Sequence, residues 1–338
     1  MRGPAAHDAV SGMLRFQEIV GHQGQIELLR RAVRRERLHH AYLFVGPEGA
    51  GKRTVATALA AAVQCPEAAG DACGECPSCR CIDDRNHPDV HWLEQRKGKR
   101  DITIEQVREL QRELALHRFS GKKKVAVIDP LTLLNLHAQN ALLKTLEEPP
   151  GDSLLLLIAG STGGVLPTVL SRCLRLRFSP LTVEQAAAVV ARRKDLPEDR
   201  ALLLAALGYG SLGKALAGDE AEIPERQECF RRLAGLSSED MRGITALAEE
   251  MGGDREKALR FLDWVRGWLR DVMVLQVTGS TSGVYNRDLL EPLQRAAAAG
   301  RVQRSTAALA EIDNVTRAIH RNYNRRMVLE GFIPMLLN

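Results

Sequence analysis

The 338-residue sequence has no run of apolar residues long enough to cross a bilayer as a helix, and its opening stretch "MRGPAAHDAVSGMLRF" lacks the unbroken apolar core of a secretory signal. No membrane association is expected, and the expected location is the cytoplasm. Neither sign of charge is scarce: 47 Lys and Arg face 42 Asp and Glu, for a formal net charge of +5. That mild basic bias permits contact with nucleic acid without requiring it. The absence of an internal repeat excludes a stacked-repeat architecture, and no extended low-complexity tract interrupts the chain. Cysteines number only seven, yet five of them fall between Cys65 and Cys81. In a chain with cytoplasmic character, so tight a cluster points to a metal rather than to disulfides.

What the sequence does contain is enough apolar residues, 45%, for substantial cores, and length for two or three domains. From Phe16 to about Phe178, helical stretches alternate with short apolar runs, "AYLFVG", "KVAVID" and "SLLLLIAG". Such runs, uncharged in their middles, read as parallel strands covered on both faces by helices. From Pro180 onward helical periodicity takes over. Phe261, Trp264, Val265, Trp268, Leu269 and Val272, then Ile312, Val315, Ile319 and Tyr323, recur at offsets of three and four and read as helix core. Breaks fall at "SPLT" (179–182) and "GDEAEIPE" (218–225). The reading is α/β followed by all-α: a parallel-sheet domain over 1–178 with a cysteine insertion at 65–79, a small helical domain over 179–221, and a helical domain over 222–338.

"YLFVGPEGAGKRT" is a strand, a glycine-rich turn and the start of a helix, the context that makes a phosphate-binding loop credible. Gly46, Gly49 and Gly51 allow the backbone to turn tightly and aim N–H groups at phosphate, and Lys52 stands where the loop's phosphate-gripping lysine belongs. The next position should carry the hydroxyl that binds magnesium. Here it is Arg53. Thr54 cannot substitute, because one residue along a helix rotates the side chain by about 100°. ATP or ADP could still bind through the backbone and Lys52, but efficient magnesium-assisted hydrolysis is not expected. After "KVAVI" comes Asp129, either a metal-orienting carboxylate or a cap on the strand end. The following position, where a hydrolysing enzyme carries a glutamate, is Pro130.

Cys65, Cys73, Cys76 and Cys79 are spaced C-x7-C-x2-C-x2-C. The C-x2-C steps bring thiolates onto one tetrahedral centre, and four sulfurs close the shell of a structural zinc with no position open for catalysis. Cys81 could replace one ligand, and an iron–sulfur cluster is the minor alternative. Cys173 and Cys229 read as buried small apolar residues. "NLHAQNALLKTLEEPP" places Leu136, Leu142, Leu143 and Leu146 within about 120° of a helix, leaving Gln139, Lys144, Glu147 and Glu148 outward. The arginine-rich "RRAVRRERLHH" (30–40) reads as the solvated face of a helix whose Ile26, Leu29 and Val33 turn inward. "RKGKR" (96–100) and "GKKK" (121–124) read as exposed loops.

The ordered set "FQEIVGHQ", "HAYLFVGPEGAGKRT", the four-cysteine insertion, "NHPDVHWL", "AQNALLKTLEEPP" and "LPTVLSRCLRLRF" resembles the bacterial clamp-loader ATPase family of the AAA+ class, densely from Phe16 to Phe178 and weakly beyond. The resemblance implies an AAA+ domain, a helical lid and a C-terminal collar. The family has ATP-hydrolysing tau/gamma motor branches and a delta-prime branch with a degraded nucleotide site. Arg53, Pro130 and Gly213 (in "GSLGKAL", where the motor branch carries an arginine sensor and where Lys214 is adjacent) all point to the delta-prime branch of the DNA polymerase III clamp loader, as does the length, which leaves no tail for polymerase attachment. The resemblance implies that Arg172, in "SRC", is a finger reaching a neighbouring motor subunit's ATP. The bland alternative is an ion pair or a DNA phosphate contact. Ser171 would position the helix end, Cys173 would pack, and Lys144 would face primer-template DNA or solvent. Implied partners are tau/gamma, delta and the sliding clamp in a nucleoid-associated replisome. The rival readings are a hydrolysing motor of the same family and a stand-alone zinc-dependent nucleic-acid binder, which would bind DNA with steep salt dependence.

Overall fold

Five strands form one parallel sheet: β1 (Ala41–Val45), β2 (Val90–Leu93), β3 (Lys124–Ile128), β4 (Ser153–Ala159) and β5 (Leu174–Arg177), in the order β2-β3-β4-β1-β5. The three apolar runs that read as strands are β1, β3 and β4; they are joined by two that do not read so, β2 and β5. The computed structural model describes residues 15–67, 70–96, 99, 101–119, 122–219, 221–300 and 302–337. They divide into two units. The first runs to Val189 and takes in Gly210–Gly213; the second comprises Val190–Tyr209 and the residues from Lys214.

In the first unit, β4 is buried along its whole length, which is why it reads as "SLLLLIA" rather than as an alternating strand. Its side chains divide between two cores. Leu154, Leu156 and Ile158 pack with Phe44, Val125 and Val127 on the face covered by α1 (Gln23–Arg34) and α2 (Lys52–Gln64). Leu155, Leu157 and Ala159 pack with Leu43, Ala126 and Ile128 on the opposite face. There α4 (Ile104–Ala115) and α5 (Leu136–Glu147) close the layer, with the short α6 (Pro167–Leu170) at its margin, whereas the short α3 (Pro77–Asp83) packs Cys79 and Ile82 into the first core. Helix α2 is buried around most of its circumference because "ATALAAA" presents small side chains to every neighbour. Helix α4 starts at a capping box in which the Thr103 and Gln106 side chains each satisfy the other's backbone N–H.

The structure corrects several readings. Tyr323, read as helix core, is exposed and lies beyond the helix that ends at His320. Leu136, expected on the apolar face of α5, is exposed, whereas Gln139 is buried; its amide donates to the carbonyls of Leu134 and Gly164 and its oxygen accepts from Leu166 N. Lys124 is not in an exposed loop but opens β3, buried, donating to Glu113 O at 2.9 Å and lying 3.9 Å from Asp89. Of "RKGKR", Lys97, Gly98 and Arg100 lie outside the described residues, as does Gly121 of "GKKK".

Helix α7 (Val183–Lys194) leads into the second unit, which contains α8 (Glu198–Leu207), most of α9 (Leu212–Ala217), α10 (Glu222–Gly235), α11 (Met241–Met251), α12 (Arg255–Thr278), α13 (Leu290–Ala299), α14 (Val302–His320) and α15 (Arg325–Phe332). Among the described residues no strand follows Arg177. Trp264 and Trp268 on α12 are core, Trp268 stacking on Phe230 at 4.6 Å. Gly267 lies between them for a steric reason: a Cβ there would sit 2.0 Å from the Tyr209 ring. No described helix is long and apolar enough to cross a membrane.

Candidate functional site

The glycine-rich loop leaves β1 at Gly46, and a Cβ at this position would lie 2.1 Å from Phe178 O, so only glycine fits. Gly51 caps α2 in the left-handed region at φ 83°, a conformation that favours glycine. Lys52, the first residue of α2, is buried and folds back on its own loop, donating to Gly46 O and Pro47 O, each at 2.6 Å. Burial pulls its ammonium below the usual lysine range, opposed by the carboxylates of Asp129 and Glu48. Two contacts hold the loop from outside. His22 hydrogen-bonds Ala50 O at 2.7 Å, and Leu212 N donates to Gly49 O at 3.2 Å where Ser211 packs on Gly49.

Arg53 settles into the space beside this loop that its charge dictates. Its Nε lies 2.5 Å from Asp129 Oδ2 and its Nη2 2.8 Å from Glu94 Oε1, while the guanidinium sits 5.8 Å from the Trp92 ring centroid. Arg85 takes the same Glu94 at 3.1 Å and lies over Trp92 at 4.8 Å. Asp129, at the end of β3, therefore faces a resident cation rather than open solvent. Both partners are largely covered, with side-chain exposures of 23% and 13%. Arg53→Ala is expected to cost roughly 1–3 kcal/mol, the range for stranding a covered polar partner. Arg53→Ala combined with Asp129→Asn should recover most of that loss, and a double-mutant cycle of thermal unfolding reads the coupling. Additive losses would mean that the pair is not energetically linked. Thr54 is half-buried one position along α2.

The four cysteines converge in three dimensions. Their sulfurs lie within 4.8 Å of one another, with Cys73–Cys79 and Cys65–Cys76 separations of 3.9 Å. A zinc tetrahedron with bonds of about 2.3 Å has edges of about 3.8 Å, so the donor set fits that ion. All seven cysteines are free. Backbone N–H groups support the thiolates: Cys73 Sγ accepts from Glu75 N and Cys76 N, Cys65 Sγ from Cys73 N, and Cys76 Sγ from Cys79 N. The Glu75 N–H in particular brings the Cys73 thiol down to about 6, while burial pushes Cys65 and Cys79 up. Cys81 lies outside the cluster. The insertion is anchored through Asp71, whose carboxylate accepts from the backbone N–H of Phe16 and Gln17, and through Lys122, which reaches Cys65 O.

Arg172 lies at the end of α6 on the wall of a cleft of about 400 Å³ shared with His39, His40, Glu147 and Leu174. Its Nη1 donates to Thr168 O at 2.8 Å and Ser171 Oγ at 3.3 Å, and its Nη2 pairs with Glu147 Oε1 at 2.5 Å. Ser171 Oγ donates to Thr168 O, tightening the turn that carries Arg172. Cys173 packs against the core of the second face, and burial pushes its thiol up to about 12. Lys144 is exposed on α5. A Cβ at Gly213 would meet Ser211 Oγ at an ordinary 3.9 Å, and the adjacent Lys214 pairs with Asp263 at 2.9 Å. Sequence reasoning singled out neither Glu94 nor Glu147 as an arginine partner, nor Ser211 as a cover for Gly49. Only Glu94 carried a signal, an acid immediately after a strand at the same sheet end as Asp129.

The family described as "DNA polymerase III, delta subunit" matches residues 21–182. The delta' subunit of Pseudomonas aeruginosa is 33% identical over 261 residues, covering 75% of this chain and 78% of that protein. The delta' subunit of Bacillus subtilis is 29% identical over 318 residues, covering 92% of this chain and 94% of that one. The tau subunit of Escherichia coli is 30% identical over 293 residues, but the match takes in only 45% of its length. Among solved structures, a gamma subunit-related protein of Thermotoga maritima aligns with 92% of this chain and 98% of its own at 18% identity and a TM-score of 0.46. Sharing a third of its aligned residues with a delta' subunit along more than three quarters of that subunit's length, the chain belongs to the DNA polymerase III subunit delta' family.

Proposed function

We propose that the chain is a non-hydrolysing subunit of a pentameric DNA clamp loader, which works beside tau/gamma-type motor subunits and a delta subunit to load the ring-shaped sliding clamp onto primed DNA. In this reading residues 1–178 are the AAA+ domain, 179–221 the lid and 222–338 the collar that holds the assembly, placed in the cytoplasm at the replisome. The observation that carries it is the pairing of Arg53 with Asp129 and Glu94. A guanidinium stands where hydrolysis needs a hydroxyl and a magnesium ion, and Pro130 supplies no carboxylate to polarise water. Lys52 and the Gly46–Gly51 backbone retain the chemistry to hold a phosphate, but not to cleave one.

The positive contribution is Arg172. Cleavage of ATP builds charge on the transferred phosphoryl group, and an arginine from an adjacent subunit stabilises it. Arg172 would complete a motor subunit's site in that way. Zinc held by Cys65, Cys73, Cys76 and Cys79 would supply a structural crosslink only. Lys144 is the candidate contact to primer-template phosphate.

The test is ATP turnover by the purified chain alone and then in the reconstituted complex with primed DNA and clamp. No turnover is expected alone, and Lys52→Ala should leave the turnover of the complex unchanged. Robust turnover by the isolated chain, abolished by Lys52→Ala, would make it a motor subunit instead.

A further inference from the structure

Glutamate is poorly placed at the C-terminal end of a helix, where the unsatisfied carbonyls already concentrate negative potential. Helix α5 nonetheless ends in Glu147, followed by Glu148 as its cap. Glu147 pairs with Arg172, at 2.5 Å. The arginine is held from two sides: Nη1 by Thr168 O and Ser171 Oγ within its own turn, Nη2 by Glu147. The first set fixes the base of the fork. The second joins it to another residue of the cleft wall.

We propose that Glu147 restrains Arg172, holding the guanidinium back at the cleft wall and yielding it when a nucleotide phosphate arrives. This rests on the reading of Arg172 as a finger supplied to a neighbouring subunit. The pair is suited to such an exchange because it is one-third exposed on the arginine side and half exposed on the glutamate side. Solvent screening leaves an exposed ion pair weak, in the range that alters an equilibrium by about fivefold or less. A triphosphate carries several negative charges and two or more acceptor oxygens, so it outcompetes one carboxylate for the same fork. Glu147 thereby raises the threshold for engagement without contributing once engagement is complete. When the complex is not loaded on DNA, Arg172 stays on Glu147; when the subunits close, it transfers.

The consequence is a split between two rates of the same complex. Glu147→Gln keeps the shape of the side chain and removes its charge. In the complex reconstituted with motor and delta subunits, it is expected to raise by about three- to fivefold the share of DNA- and clamp-free ATP turnover carried by the site that Arg172 serves, and to leave turnover with primed DNA and clamp within about twofold. Glu148→Gln, the same charge change one residue along, should alter neither. Arg172→Ala in the same assay should lower stimulated turnover. If Arg172→Ala has no effect, the finger reading fails and this inference with it. If Arg172→Ala lowers turnover while Glu147→Gln changes neither rate, or if Glu148→Gln gives the same gain, the finger stands and the role of Glu147 is overturned. A fall in stimulated turnover with Glu147→Gln as large as that with Arg172→Ala would also overturn it, because Glu147 would then be needed after engagement rather than before.

Discussion

Cys79→Ser is expected to abolish zinc binding at the four-cysteine site and to lower the thermal midpoint of the zinc-loaded chain more than any single surface change. Cys79 and Cys65 are fully buried within the core that also holds Phe16, Leu59 and Ile82. Losing the ion therefore leaves buried sulfurs, and at Cys79 a hydroxyl, without the metal that binds them together, and the loop from Cys65 to Cys79 loses its crosslink. Zinc binding in small modules is worth about 10–16 kcal/mol, and the fraction coupled to folding here should amount to several kcal/mol. The insertion does not stand apart: Asp71 pins it to the backbone of Phe16 and Gln17, and Ser78 lies 3.4 Å from His87. Destabilisation should accordingly reach the first face of the sheet. Metal content by atomic absorption and thermal unfolding with and without chelator read the two effects together. Cys81→Ser is the control and should change neither. One zinc per chain retained by Cys79→Ser would mean that the ligand set has been drawn wrongly.

Three of the five strands, the loop and the cysteine cluster are legible because each is a local pattern; β2 and β5, with His91 and with Arg175 and Arg177 inside them, are not. The run "SLLLLIA" is buried on both faces and says so in its composition; the cysteine spacing and the glycines report geometry within a few residues. Contacts between distant segments are not legible. Arg53 meets Glu94 only because β2 lies beside β3 in the sheet, which brings the ends of both strands to the start of α2. Nothing in the spacing between Arg53 and Glu94 encodes that neighbour. The misreading of α5 has a similar cause. Angular arithmetic puts Leu136 among the leucines of one face, but the turn at Gly164–Leu166 offers Gln139 two backbone partners and Leu134 O a third, so the glutamine is buried and Leu136 is left outside. Lys124 was misplaced because three consecutive lysines look like a loop, whereas the last of them begins β3 and satisfies its charge on Asp89 and Glu113 O. Arg172 and Glu147 were each legible alone; their contact needed the fold.

Arg172→Ala is expected to have the largest kinetic effect, and to have it on another subunit's chemistry. A finger arginine is worth about 10³–10⁵ in turnover at the site it serves. The complex as a whole should lose the share of turnover carried by that one site, while sites not facing this chain continue. Folding should be nearly untouched. The side chain is one-third exposed, its partners are a backbone carbonyl, a hydroxyl and an exposed carboxylate, and surface changes of this kind stay within about 0.5 kcal/mol. That separation is what distinguishes a finger from a structural arginine: turnover falls while thermal midpoint and assembly hold. Arg172→Lys keeps the charge but loses the planar fork, so it should restore only a small part of the rate. Single-turnover hydrolysis by the assembled complex, compared with assembly measured by sedimentation, separates the outcomes. If Arg172→Ala instead weakens assembly in proportion to the lost rate, the residue acts as an interface contact, and the charge that Glu147 restrains is holding subunits together rather than waiting for phosphate.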